Sequence, residues 1–279
     1  MLSIKSFFIM LFTFINFNCL GITINKPVVV LHGIASSADK MNIFSQWLEK
    51  EFDRKVYNIE IGNGYQNSLF MPLNKQLVLL CKTIYNINEL KNGFDFIGMS
   101  QGGMLARGYV EQCNEYPVSI LINLVSPNGG VIQKIPSIIN MYSHFYQEHF
   151  AASGYWRDPE NIEAYLQKCS YLPQFNNEII TEMSQKYKEN IKRLQQYIVI
   201  WSPFDEIINP PESAKFSIFD SDYNIIPLYE TGLYINDTLG IKSLNDRKKF
   251  HIYETNCTHT QHRDPSCFGQ LYEIFKNYL

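Results

Sequence analysis

The sequence predicts an α/β protein, with a central, mostly parallel sheet flanked by helices. Three observations carry this reading. Val28-Val-Val-Leu31 is a continuous apolar run, the pattern of a strand buried on both faces of a parallel sheet. Strand-like and helix-like segments then alternate along the chain, as helical crossovers between parallel strands require. Residues 95–103, Asp-Phe-Ile-Gly-Met-Ser-Gln-Gly-Gly, fit Gly-x-Ser-x-Gly at Gly98, Ser100 and Gly102. In that pattern a strand turns sharply into a helix with a serine at the apex.

Each element has a local reason. His32-Gly33-Ile34 and a polar loop, Ala35 to Asp39, follow the first strand. Apolar positions at helical spacing from Met41 to Phe52 predict a helix, and Lys55 to Ile61 alternates like a strand. Asn63-Gly64 marks a turn. Residues 72–86 read as a second amphipathic helix. Phe94, Phe96 and Ile97 form the strand before the elbow, and Gly103-Met-Leu-Ala-Arg-Gly-Tyr-Val continues the helix after it. Side chains at Gly98 and Gly102 would collide with the neighbouring strand and helix. Val118 to Leu124 is another strand. From about 128 to 192 the alternation stops and tyrosine, phenylalanine, asparagine and glutamine become dense, which reads as a helical cap inserted above the sheet. Tyr197 to Trp201 resumes the sheet, Lys249 to Tyr253 is its last strand, and Phe268 to Leu279 closes the chain as a helix.

Length and charge bound the function. With 279 residues the chain can form one α/β domain with a sizeable core. A net charge of −3 with mixed signs and no basic block argues against nucleic acid as a partner. Residues 1–21 read as a signal peptide: Lys5 gives a positive start, Phe7 to Phe17 is apolar but too short to span a bilayer, and Cys19 and Gly21 suit cleavage after Gly21. Residues 22–279 are then a single domain without a transmembrane span, lodged in the secretory pathway. Cys81, Cys113, Cys169, Cys257 and Cys267 remain after cleavage. Five is odd, so at least one thiol is free or paired externally. Asn236-Asp-Thr and Asn256-Cys-Thr are glycosylation sequons. A glycan on Asn256 would crowd the histidine three residues on, which favours Asn236.

Chemistry follows from the elbow. A serine hydroxyl needs an adjacent base, and the base needs an orienting carboxylate. On this architecture they follow in the order serine, acid, histidine. Asp205 is the best-placed acid, in the loop after the strand ending at Trp201, where parallel-sheet active sites gather. Glu206 is a neighbouring rival, and Asp220 and Asp222 are weaker ones. His251 falls on the last strand. His259 and His262 lie in the loop beyond it, and His259 is preferred with His262 as the alternative. His-x-x-His can chelate a metal, but no third ligand cluster stands out, so neither a metal nor another cofactor is expected. Backbone N–H groups of Gln101, after the nucleophile, and Ile34, after the first strand, are the expected oxyanion donors. His32 is expected to hold that loop.

With these residues assembled, the chain resembles the palmitoyl-protein thioesterases, soluble lysosomal members of the α/β-hydrolase superfamily. The likeness runs from Pro27 to the C-terminus. It rests on Val-Val-Val-Leu-His-Gly, on Gly-Met-Ser-Gln-Gly-Gly and on Tyr155-Trp156-Arg157-Asp158-Pro159, which looks like a cap signature. Phe204 to Pro210, Glu230 to Tyr234 and Asp237 to Lys242 add to it. The resemblance implies an α/β-hydrolase fold, Ser100, Asp205 and His259 as a triad, and Ile34 and Gln101 as oxyanion donors. It also implies a Cys81–Cys113 disulfide. Cys257 and Cys267 flank the histidine loop, and local pairing between them, like the His259–His262 loop itself, resembles the type 2 branch. The cap signature and the Asp237 to Lys242 stretch resemble type 1, which is slightly favoured. The implied activity is hydrolysis of long-chain fatty acyl thioesters on S-palmitoylated proteins or peptides, in the lysosome or after secretion. The alternatives are an acyl-CoA-preferring type 2 enzyme, a lipase or carboxylesterase acting on oxygen esters, and a lipid-binding protein without turnover.

Overall fold

The computed structural model describes residues 25–279, so the segment read as a signal peptide lies outside the described residues. The strands of the main sheet are β1 (Val28–Leu31), β2 (Val56–Ile59), β3 (Phe94–Met99), β4 (Val118–Leu124), β5 (Gln196–Trp201) and, after a separate antiparallel pair β6 (Ile218–Phe219) and β7 (Ile225–Ile226), β8 (Phe250–Glu254). The six-stranded sheet has the order β2-β1-β3-β4-β5-β8, and all neighbours are parallel. Among the described residues the helices are α1 (Asn42–Phe52), α2 (Tyr65–Phe70), α3 (Leu73–Tyr85), α4 (Gln101–Gly108), α5 (His144–His149), α6 (Ile162–Lys168), α7 (Leu172–Phe175), α8 (Ser184–Lys192), α9 (Gly232–Ile235), α10 (Ile241–Asp246) and α11 (Pro265–Phe275), with short 3₁₀ turns between them and a π-helical turn, Tyr109–Cys113, after α4.

All four residues of β1 are fully buried. Val28 and Val30 pack on one side of the sheet with Phe44 and Leu48 of α1 and Leu271 and Phe275 of α11. Val29 and Leu31 face the other side, with Leu77 and Leu80 of α3 and Met104 of α4. A two-faced apolar strand is therefore the direct product of helices on both sides. The buried positions of α3, Leu73, Gln76, Leu77, Leu80, Cys81 and Ile84, keep the helical spacing that the sequence displays.

Register brings the carboxyl ends of the strands to one edge: Leu31 pairs with Gly98, Met99 with Leu124, Leu124 with Ile200, and Trp201 with Glu254. The segments that follow β1, β3, β5 and β8 consequently meet there. Between β4 and β5, the α7 segment packs on α4: the Tyr171 hydroxyl donates to Met104 O at 3.0 Å, and buried Arg107 donates to Phe175 O and Asn176 Oδ1.

Cys81 of α3 is joined to Cys113, beyond α4, with Cα atoms 6.2 Å apart, and Cys257 is joined to Cys267. Cys169 is the free cysteine among the described residues; it is buried, and burial pushes its thiol up to about 12. The last helix begins at Pro265, earlier than expected, and ends at Phe275. Proline suits the first helical turn, where its missing N–H costs nothing.

Candidate active site

Ser100 sits between β3 and α4 with φ 55° and ψ −129°, a left-handed backbone for a residue with a side chain. The neighbours impose it. A Cβ on Gly98 would land on the Gly102 carbonyl and Gly103 Cα, and one on Gly102 would land on the carbonyls of Leu31 and His32. Two bare backbones let β1, β3 and α4 approach closely enough to press Ser100 into the cavity between them. The Ser100 N–H donates to Leu124 O at 2.8 Å, which ties the turn to β4.

Ser100 and His259 line one cavity of about 320 Å³, together with Ile34, Ala35, Met99 and Ile207. His259 is buried, and its Nδ1 donates to Asp205 Oδ2 at 2.7 Å. Asp205 Oδ1 accepts the N–H groups of Ile207 and Ile208, both at 2.9 Å. With its proton on Nδ1, the imidazole keeps Nε2 as an acceptor, and Nε2 makes no hydrogen bond to another described residue. Of the rivals, Glu206 and Asp220 are occupied elsewhere. Glu206 Oε2 accepts the backbone N–H of His259 at 3.0 Å, so it braces the loop and leaves the ring alone. Asp220 holds the N–H groups of Asp222 and Asn224 within the β6–β7 hairpin.

The other histidines are also engaged. His251, on β8, bonds Gln196. His262 is fully buried; its Nδ1 donates to Thr258 O at 2.8 Å, and its Nε2 accepts from the Thr255 hydroxyl at 2.7 Å. Burial holds this ring below its ordinary value, and both nitrogens serve the loop that carries His259. Cys257, His262 and Cys267 place three ligand-type atoms within 4.8 Å of one another, but the two sulfurs form a disulfide and offer no thiolate.

Gln101 opens α4, so its N–H has no carbonyl one turn earlier to receive it. Its side chain is fixed: Nε2 donates to Ser68 O at 2.8 Å, and Oε1 accepts from the Tyr155 hydroxyl at 3.2 Å. Ile34 lies in the turn after β1, and its N–H donates to no described residue. That turn is braced at both ends. His32 Nε2 lies 2.6 Å from Glu60 Oε1, and Glu60 Oε2 accepts the Ala38 N–H at 2.9 Å. Glu60, Tyr155 as a partner of Gln101, and Arg263, which donates to Ser36 Oγ at 3.1 Å, are site neighbours that sequence spacing did not reveal. Both sequon asparagines, Asn236 and Asn256, are exposed.

The arrangement suits acyl transfer: a hydroxyl at a strained apex, an imidazole oriented by a buried carboxylate, and backbone donors beside them. A family model described as palmitoyl protein thioesterase matches residues 27–259. Palmitoyl-protein thioesterase 3 of Dictyostelium discoideum is 31% identical over 254 residues, covering 86% of this chain and 87% of the relative. The lysosomal thioesterase PPT2-B of Xenopus laevis is 31% identical over 271 residues, covering 91% of each. Among solved structures, a monoacylglycerol lipase of Paleococcus ferrophilus has a TM-score of 0.51 at 14% identity, covering 91% of this chain and 95% of that one, a likeness of fold. A six-stranded parallel sheet, an elbow serine and these sequence matches give one conclusion: the chain has the α/β-hydrolase fold and belongs to the palmitoyl-protein thioesterase family.

Proposed function

We propose that the protein is a serine thioesterase that hydrolyses palmitoyl and similar long-chain thioesters on cysteine residues of S-acylated proteins and peptides. The observation that carries this is the convergence of Ser100 and the Asp205-bound His259 on one cavity, in a chain of this family. His259 Nε2 takes the Ser100 proton as Oγ attacks the thioester carbonyl. Asp205 stabilises the imidazolium that forms. The N–H groups of Ile34 and Gln101 hold the oxyanion, a contribution of about 3–4 kcal/mol for each well-placed donor. His259 then protonates the departing cysteine sulfur. Water, activated by the same imidazole, releases the fatty acid from Ser100.

In this reading residues 22–279 act as one domain, with residues from about 128 to 192 as its cap. The relatives named lysosomal thioesterases and the apolar start of the chain support delivery through the secretory pathway to the lysosome. No helix of the described residues is long and apolar enough to cross a membrane.

The test is release of thiol from a palmitoyl-cysteine peptide by the purified protein and by Ser100→Ala. The expected loss in the variant is at least about three orders of magnitude, with folding unchanged. Turnover retained by Ser100→Ala would overturn the assignment, and cleavage of oxygen esters alone would make the protein a lipase.

A further inference from the structure

We infer that Arg263 selects thioesters whose leaving thiol carries an anionic group; the inference rests on the thioesterase reading above. Arg263 ends the 3₁₀ turn Thr260–Arg263 that begins next to His259, and it lines the same cavity as Ser100 and His259. Its Nη1 donates to the Ser36 hydroxyl at 3.1 Å, which sets the guanidinium against the loop carrying Ile34.

The charge of Arg263 is unmatched. Arg54, Arg107 and Arg157 each face a carboxylate, of Asp95, Glu111 and Glu178 respectively, whereas Arg193 and Arg247, which also lack one among the described residues, are exposed to solvent. Arg263 has no carboxylate partner among the described residues, and its one protein acceptor is a neutral hydroxyl. The acids of the facing loop are already engaged, Asp205 by His259 and two backbone N–H groups, and Glu206 by the His259 N–H. Most of the guanidinium's five N–H donors therefore remain for a ligand. Ile34, Ala35, Met99 and Ile207 supply apolar wall, and the remaining polar side chains beside Ser100 and His259, those of Ser36 and Thr260, are neutral hydroxyls, so Arg263 is the guanidinium an oxyanion entering this cavity would meet.

Position identifies which half of the substrate meets this cation. His259 must hand its proton to the leaving sulfur, so the thiol portion lies on the His259 side. Arg263 ends the turn that His259 precedes and shares its cavity, and the proposal assigns it to that side on this adjacency. An acyl chain gains nothing from a guanidinium, whereas a carboxylate or phosphate borne by the thiol gains a charge-assisted contact to its forked donors. Two sources supply that chemistry: an acidic residue beside the acylated cysteine of a peptide, or the phosphates of an acyl-CoA.

The experiment measures kcat/KM on two matched pairs. One pair is a palmitoyl-cysteine peptide with flanking glutamates against the same peptide with glutamines. The other is palmitoyl-CoA against S-palmitoyl-N-acetylcysteamine. Wild type, Arg263→Gln and Arg263→Lys are compared, each with its thermal melt. The expected result is a loss of about tenfold or more on the anionic member of at least one pair in Arg263→Gln. The neutral member loses several-fold less than the anionic one, Arg263→Lys retains part of the preference, and added salt weakens the wild-type preference. The pair that responds names the source of the anion. Equal losses on both members, as a purely structural bond to Ser36 would give, or no loss on either, overturn the inference. Wild type that releases no serine-dependent thiol from any substrate overturns the thioesterase reading and this one with it. Thiol release without anionic preference overturns this one alone.

Discussion

Asp205 is held from two directions: Oδ2 lies 2.7 Å from His259 Nδ1, and Oδ1 accepts from Ile207 and Ile208. A carboxylate only accepts, so the bond to Oδ2 specifies the His259 tautomer with its proton on Nδ1, while the two backbone donors fix the carboxylate that holds it. An amide must turn its NH₂ towards either the ring N–H or the two backbone N–H groups. Asp205→Asn is expected to lower kcat on a palmitoyl thioester by about 10³–10⁴-fold. Circular dichroism should stay native, and the measurement that decides is steady-state turnover. A drop below about tenfold would show that another acid, Glu206 foremost, orients the base.

His262 makes the histidine loop sensitive to acid. Burial depresses its folded value below the ordinary 6.5, so between the two values the unfolded chain binds a proton that the folded chain refuses. The stability tied to neutral His262 is thus complete above the ordinary value and declines as pH falls below it. His262→Gln lacks this proton site but also loses the ring packing. The variant is expected to be less stable than wild type near neutrality, with the gap narrowing at about pH 5. Denaturant unfolding at both pH values checks this, and a gap that stays constant would refute it.

Glu60 is expected to be a positioning residue for the loop after β1. It engages His32 with one oxygen and the Ala38 N–H with the other, so it spans the turn that presents Ile34. Glu60→Ala should lower kcat by about tenfold to a hundredfold, less than outright loss of an oxyanion donor, while KM changes little. Glu60→Gln, which can still bond both partners, should restore most of the rate. A KM effect of the same size as the kcat effect would assign Glu60 to substrate binding instead.

Much of the framework was legible because periodicity and steric demand are written locally. The strand Val118–Leu124 has the bounds the sequence predicts, and Gly98, Ser100 and Gly102 announce the elbow. Helix α2 was not legible: Tyr-Gln-Asn-Ser-Leu-Phe has no apolar stripe, and Ser68 is its one buried residue. Residues 211–246 were opaque for a related reason, being built from 3₁₀ turns, two-residue strands and short helices without a sustained period. Spacing alone could not separate Asp205 from Glu206, or His259 from His262, because each pair shares a loop and the direction of each side chain decides. Glu60 and Arg263 act on partners 28 and 227 residues away, distances over which a single sequence carries no pattern.

The Tyr155 hydroxyl, from the Tyr-Trp-Arg-Asp-Pro stretch, reaches the side chain of Gln101, whose backbone follows Ser100. One phenolic proton thereby joins the roof of the molecule to the residue next to its nucleophile. In the mechanism proposed above, redesigning that roof for a different fatty chain would disturb the residue whose N–H is assigned to the developing negative charge. On the proposed mechanism, the choice of acyl group and the speed of turnover would then be coupled traits, so that engineering one would mean re-engineering the other.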